Sequence, residues 1–148
     1  LDGMTAVDYP LKTEAGTVNV TVVSMGNPHA VIWVDDVDTA PVATIGPLVE
    51  NHPAFPHKTN VEFAETLLDE HRIRVRVWER GVGETLACGT GACATLVASV
   101  LGRRTGRTAT IELPGGELTV AWAPDGHVYM TGPAEQVFEG VIDLPDDE

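Results

Sequence analysis

The sequence predicts an α+β fold, a curved mixed sheet wrapped around one central buried helix. Three observations predict it. About seven segments carry the β-branched or alternating pattern of strands. One segment, residues 92–101 (ACATLVASVL), is apolar around its whole circumference, as helices buried on all sides are. The chain has 148 residues, 43% of them apolar, which suits a single domain with a real core and argues against disorder.

Residues 1–16 are mixed, with Pro10 and Gly16, and read as a connector. Residues 17–25 (TVNVTVVSM) alternate and read as a strand. Gly26-Asn27-Pro28-His29 breaks it, and residues 30–34 resume as a buried strand. Asp35, Asp36 and Asp38 form a solvated acidic turn, and residues 41–51 read as a short helix with proline near its start. Residues 52–57 hold two prolines and read as loop, and residues 60–65 (NVEFAE) as a short strand. In residues 71–78, Ile73, Val75 and Val77 face one way. Arg72, Arg74 and Arg76 face the other, a solvated row that pairs with some of the many carboxylates. Residues 79–91 are a glycine-rich turn, followed by the apolar helix, which Gly102 ends. Residues 108–113, 117–122, 128–131 and 136–142 read as strands separated by Pro- and Gly-containing turns.

Lys and Arg number 9 against 22 Asp and Glu, a formal charge of −13. That balance argues against nucleic-acid partners, which need clustered cations, and against an anionic membrane surface. Two cysteines are too few for a disulfide scaffold and point to a reducing, cytoplasmic compartment. The only lysines, Lys12 and Lys58, lie in polar or Pro-rich stretches. Neither suits the buried Schiff-base lysine of a pyridoxal-phosphate enzyme, so amino-acid chemistry here needs no such cofactor. The five histidines show no metal-site spacing.

The chemistry concentrates in residues 78–93, WERGVGETLACGTGAC. Cys88 stands where a helix begins, facing unpaired N–H groups and the positive end of the helix dipole. This setting lowers a thiol pKa and makes the thiolate a usable base or nucleophile. The same N–H groups cradle a carboxylate or phosphate, and Gly89 and Gly91 let backbone approach a ligand. Arg80 can fork onto a carboxylate, and Glu79 can accept from an ammonium. The turn therefore suits both charged groups of an α-amino acid. The alternative is a small, inert cysteine in a glycine-rich turn. Cys93, inside the helix among apolar neighbours, reads as packing, and a Cys88–Cys93 disulfide fits the geometry poorly. No phosphate-loop or dinucleotide fingerprint is present.

GNPHAV (26–31), TNVEF (59–63), ERGVGETLACGTGACA (79–94), LPGGELTV (113–120) and GPAEQVFEG (132–140) together resemble the diaminopimelate epimerase family, in its order and over nearly the whole chain after residue 16. The resemblance implies a cofactor-independent isomerase of lysine and cell-wall precursor synthesis that interconverts LL- and meso-2,6-diaminopimelate. It also implies two lobes, each a sheet around a central helix, with one acid/base cysteine from each lobe. By motif position Cys88 is one of this pair, the acceptor when the LL substrate reacts. Asn27, Asn60, Glu79, Arg80, Gly89 and Thr90 would bind substrate, while His29 and Glu79 would tune the thiol.

The chain departs from the family in lacking an N-terminal lobe with its Cys-Gly-Asn-Gly-like turn. With no initiator Met before Leu1, it reads as a C-terminal half beginning in an inter-lobe connector (1–16, then a lobe over 17–148). The expected partners are diaminopimelate, the N-terminal lobe and a second copy of the chain, because half an interface would be exposed. Another isomerase of the same fold and a non-catalytic assembly module are the competing readings. Intact Glu79, Arg80 and Cys88 argue against the module.

Overall fold

In the computed structural model, which describes residues 6–67 and 71–143, the alternating segments assemble into one mixed sheet. β1 (Ala6–Thr13), β2 (Gly16–Ser24) and β3 (Pro28–Trp33) form an antiparallel meander. The helix α1 (Val42–Glu50) then leads to β4 (Asn60–Thr66), which lies parallel to β3. β5 (Arg72–Glu79) returns antiparallel to β4 and pairs with the short β6 (Gly83–Thr85). The second helix, α2 (Gly89–Leu101), crosses over to β7 (Thr108–Leu113), parallel to β5. β8 (Gly116–Trp122) and β9 (Val128–Thr131) complete the sheet antiparallel. The order is β1-β2-β3-β4-β5-β7-β8-β9, with β6 beside β5.

α2 packs against β2, β3, β4, β7, β8 and β9, so the sheet curves around it as the apolar circumference requires. Every residue from 91 to 99 except Cys93 is buried on this helix. Ile73, Val75 and Val77 join the α2 core, as their alternation predicts. α1 covers the other face against β4, β5 and β6, where Val42 and Val49 meet Val61 and Phe63. Gly46 is needed there: a Cβ would come within 2.7 Å of the Trp78 ring. The arginine row pairs as expected. Arg72 binds Glu112 and Glu117, Arg74 binds Asp38 and Glu65, and Arg76 forks onto Glu84.

Three readings change. Residues 6–13, taken as connector, form the edge strand β1; residues 1–5 of that stretch lie outside the described residues. The period was hidden because Pro10 interrupts it and the register slips between Ala6 and Tyr9, with Asp8 at φ 49°. Residues 136–142, expected as a strand, have no regular structure, and Val137, Phe138, Val141 and Ile142 are exposed. β6 lies inside the supposed glycine-rich turn and extends the hairpin after β5.

Candidate functional site

The turn after β5 delivers Cys88 to the start of α2. Gly81 (φ 76°) and Gly83 (φ 105°) take the left-handed conformation that this reversal needs. Cys88 is extended (φ −142°, ψ 108°) and is the N-cap of α2, its Sγ accepting the Gly91 N–H at 3.4 Å. The helix therefore begins at Gly89 rather than at residue 92, because the sulfur caps it. Among the described residues, the N–H groups of Gly89 and Thr90 have no acceptor. Thr90 Oγ1 lies 3.7 Å from the sulfur. Gly91 is close-packed: a Cβ there would stand 2.8 Å from Glu62 Oε1 and 3.2 Å from Cys88 Sγ.

Beneath the turn, β3 and β4 bring a buried pair together. His29 and Glu62 are both fully buried, with His29 Nδ1 2.6 Å from Glu62 Oε1. His29 Nε2 lies 3.1 Å from Asn27 Oδ1, and Asn27 Nδ2 donates to Thr90 Oγ1 at 3.3 Å. His29 thus reaches Cys88 only through Asn27 and Thr90. Burial pushes the Glu62 carboxyl up, against the opposing pull of His29. Sequence reasoning missed Glu62. Its one signal was an ionisable residue between Val61 and Phe63 in a strand flanked by helices.

The remaining predicted residues line the adjoining edge. Glu79 ends β5 and accepts from Thr85 Oγ1 at 2.6 Å. Arg80 is exposed, its Nη1 donating to the His57 carbonyl at 3.1 Å. Asn60 is buried, and its amide is largely committed to the scaffold. Nδ2 donates to the Pro28 carbonyl at 3.1 Å, and Oδ1 accepts the Arg80 N–H at 2.9 Å. Asn60 therefore fixes where Arg80 leaves the sheet. Glu50, also unanticipated, accepts from Trp78 Nε1 and the Gly81 N–H, both at 2.8 Å, and pins the turn from below.

Electrostatics correct one expectation. Burial pushes the Cys88 thiol up, and the charges of Glu62 and Glu79 push it further; the Gly91 N–H and the Thr90 hydroxyl oppose this without overcoming it. The helix start therefore does not make a resting thiolate. Burial and the charge of Cys88 push Cys93 up as well, and both cysteines are free thiols. A raised thiol pKa leaves less thiolate at neutral pH, so Cys88 is expected to alkylate more slowly at pH 7 than an unstructured cysteine. Its rate should climb through a midpoint above the ordinary thiol range. Iodoacetamide labelling followed by peptide mass spectrometry checks this, and a midpoint below that range contradicts it.

Among the described residues, no cluster of three or more His, Cys, Asp or Glu could hold a metal, and no helix is long and apolar enough to cross a membrane.

The profile of the diaminopimelate epimerase family matches residues 21–137. A diaminopimelate epimerase of Pelotomaculum thermopropionicum is 57% identical over 131 residues, covering 88% of this chain and 46% of that protein. One from Synechococcus elongatus is 59% identical over 125 residues, 84% of this chain and 44% of that protein. The chain thus spans about half the length of the curated relatives it matches. Among solved structures, a hydroxyproline epimerase from Agrobacterium vitis aligns with TM-score 0.60 at 20% identity, over 78% of this chain and 40% of that one. A methylitaconate-delta-isomerase aligns with TM-score 0.58 at 17% identity, over 84% of this chain and 45% of that one. At such identities these likenesses speak for the fold.

Proposed function

We propose, on the premise that this chain belongs to the diaminopimelate epimerase family, that it supplies one half of a cofactor-independent site interconverting LL- and meso-2,6-diaminopimelate. The observation that carries the reading is Cys88 capping α2 beside the open N–H groups of Gly89 and Thr90.

Removing the α-proton of an amino acid leaves charge that must spread into its carboxylate. Fixed donors aimed at that carboxylate stabilise the developing charge most where water is excluded. The start of α2 offers such donors, and Arg80 offers a guanidinium to the same substrate. Glu79 receives the ammonium. That contact neutralises one of the charges that raise the Cys88 thiol, so substrate binding itself favours the thiolate. The Cys88 thiolate then takes the α-proton: the C–H bond breaks, an S–H bond forms, and the electron pair stays on the substrate. A second thiol on the opposite face gives its proton to the carbon, which inverts. Asn27 and the remaining N–H of Asn60 help to hold the substrate, whose distal amino-acid group needs polar partners.

Cys93 lies on the same helix as Cys88 and cannot reach the opposite face of the same carbon. The second thiol therefore belongs to another lobe, in keeping with the half-length match. The exposed Val137, Phe138, Val141 and Ile142 support a partner surface there, either that lobe or a second copy. Two free thiols fit a reducing compartment such as the cytoplasm.

The 148-residue chain alone is expected not to invert diaminopimelate in D2O, whereas the chain joined to a lobe carrying the opposing thiol is expected to do so. Chiral chromatography with mass spectrometry reads both deuterium and configuration. Inversion by the chain alone overturns the two-lobe reading, and lack of inversion by the joined protein overturns the activity.

A further inference from the structure

We propose that Glu62 is a positioning residue for this reaction, directing a hydrogen bond onto the Cys88 sulfur through His29, Asn27 and Thr90. The proposal rests on the reading of Cys88 as an acid/base.

Glu62 and His29 have 0% exposure, so neither reaches the surface of this lobe. At 2.6 Å, one proton lies between Glu62 Oε1 and His29 Nδ1. On the other side of the ring, Nε2 faces Asn27 Oδ1, which can only accept. Nε2 therefore carries a hydrogen. The bridge to Glu62 fixes the ring with its donor edge toward Asn27. Asn27, held by its carbonyl, turns its amide N–H to Thr90 Oγ1. The Thr90 oxygen accepts that bond, and its hydroxyl hydrogen is free to turn to Cys88 Sγ, 3.7 Å away. Each group donates to the next, and the chain of donors ends at the sulfur. Such aligned bonds reinforce one another and favour a charged acceptor. Among the described residues, Glu62 Oε2 has no hydrogen-bond partner. A buried carboxyl left half unsatisfied is costly, and its engaged oxygen serves only His29.

The titratable groups acting on the sulfur are Glu62 from β4, Glu79 from β5 and Cys93 from α2, with His29 of β3 behind Asn27. A lone negative charge at Glu62 would predict the opposite of the relay, because its removal would make the thiolate easier to form.

The test measures the pH midpoint of Cys88 alkylation by peptide mass spectrometry, with the urea unfolding midpoint as the reference for the fold. In Glu62→Val the ring loses its anchor. The Cys88 midpoint is expected to rise by about one pH unit, roughly ten-fold less thiolate at neutral pH, while the urea transition still shows a folded protein. Glu62→Gln, whose amide can still donate to Nδ1, is expected to restore the starting value. In a Thr90→Val background, which cuts the last link on an exposed position, Glu62→Val is expected to have no further effect. A fall or no change in the Cys88 midpoint, a failed Gln rescue, or an undiminished effect without the Thr90 hydroxyl would each overturn the relay. These readouts need no substrate. If they hold while the joined protein fails to invert diaminopimelate, the relay stands and the assigned reaction falls; the converse result leaves the reaction and removes the relay.

Discussion

Cys88→Ser is expected to leave the fold as stable as before and to slow inversion by the joined two-lobe enzyme about 10²–10⁴-fold. The two halves of this expectation come from the same geometry. Cys88 caps α2 by accepting the Gly91 N–H, and serine is among the preferred residues for that task. A hydroxyl, however, is a far weaker acid than a thiol and yields no useful base near neutral pH. Thermal or urea unfolding together with the rate of inversion separates the roles. If Cys88 is only a small capping residue, serine will preserve the rate as well, and the catalytic assignment is lost.

Gly91→Ala is expected to destabilise the protein by about 2–4 kcal/mol, from overpacking together with loss of the cap. Helix propensity alone predicts the reverse sign, since Ala in a helix is favoured over Gly by about 0.8–1.0 kcal/mol. The local contacts decide the matter. The added methyl would stand 2.8 Å from Glu62 Oε1 and 3.2 Å from Cys88 Sγ. Glu62 is fully buried and bonded to His29, so it has nowhere to move without breaking the pair. The sulfur is held by the Gly91 N–H itself. A urea midpoint lowered at unchanged slope measures the loss. A midpoint equal to or above the starting value would show that the turn relaxes freely around residue 91.

Much of this was legible from residues whose neighbours obey a single period. Ile73, Val75 and Val77 alternate with arginines, and β5 buries the first set while pairing the second with carboxylates. The all-apolar run after Cys88 announced a helix enclosed by a sheet, and the glycines before it announced a turn with an open edge. Glu62 was illegible for the same reason in reverse. In NVEF, alternation assigns Glu62 to a solvated face. β4, however, lies between α1 and α2, so both of its faces are buried. Val61 and Phe63 meet the α1 core, while Glu62 shares its side with Ala64 toward α2. The direction of the Cys88 shift was also hidden, because the helix start is visible in a sequence and the depth at which it sits is not. The scaffold contacts of Asn60 were hidden too, because its amide ties Pro28 to Arg80, segments 32 and 20 residues away in the chain.

The two parallel strand pairs have a kinetic consequence. The β1–β2–β3 and β7–β8–β9 meanders join neighbours in sequence and can form early, each on its own. Pairing β3 with β4 and β5 with β7 requires closing long crossovers, one carrying α1 and the other α2. His29 and Glu62 come from opposite ends of the first crossover, and the cap of α2 lies within the second. The His29–Glu62 pair can therefore form only once the first of these loops has closed, and any refolding intermediate that contains only the meanders is without it.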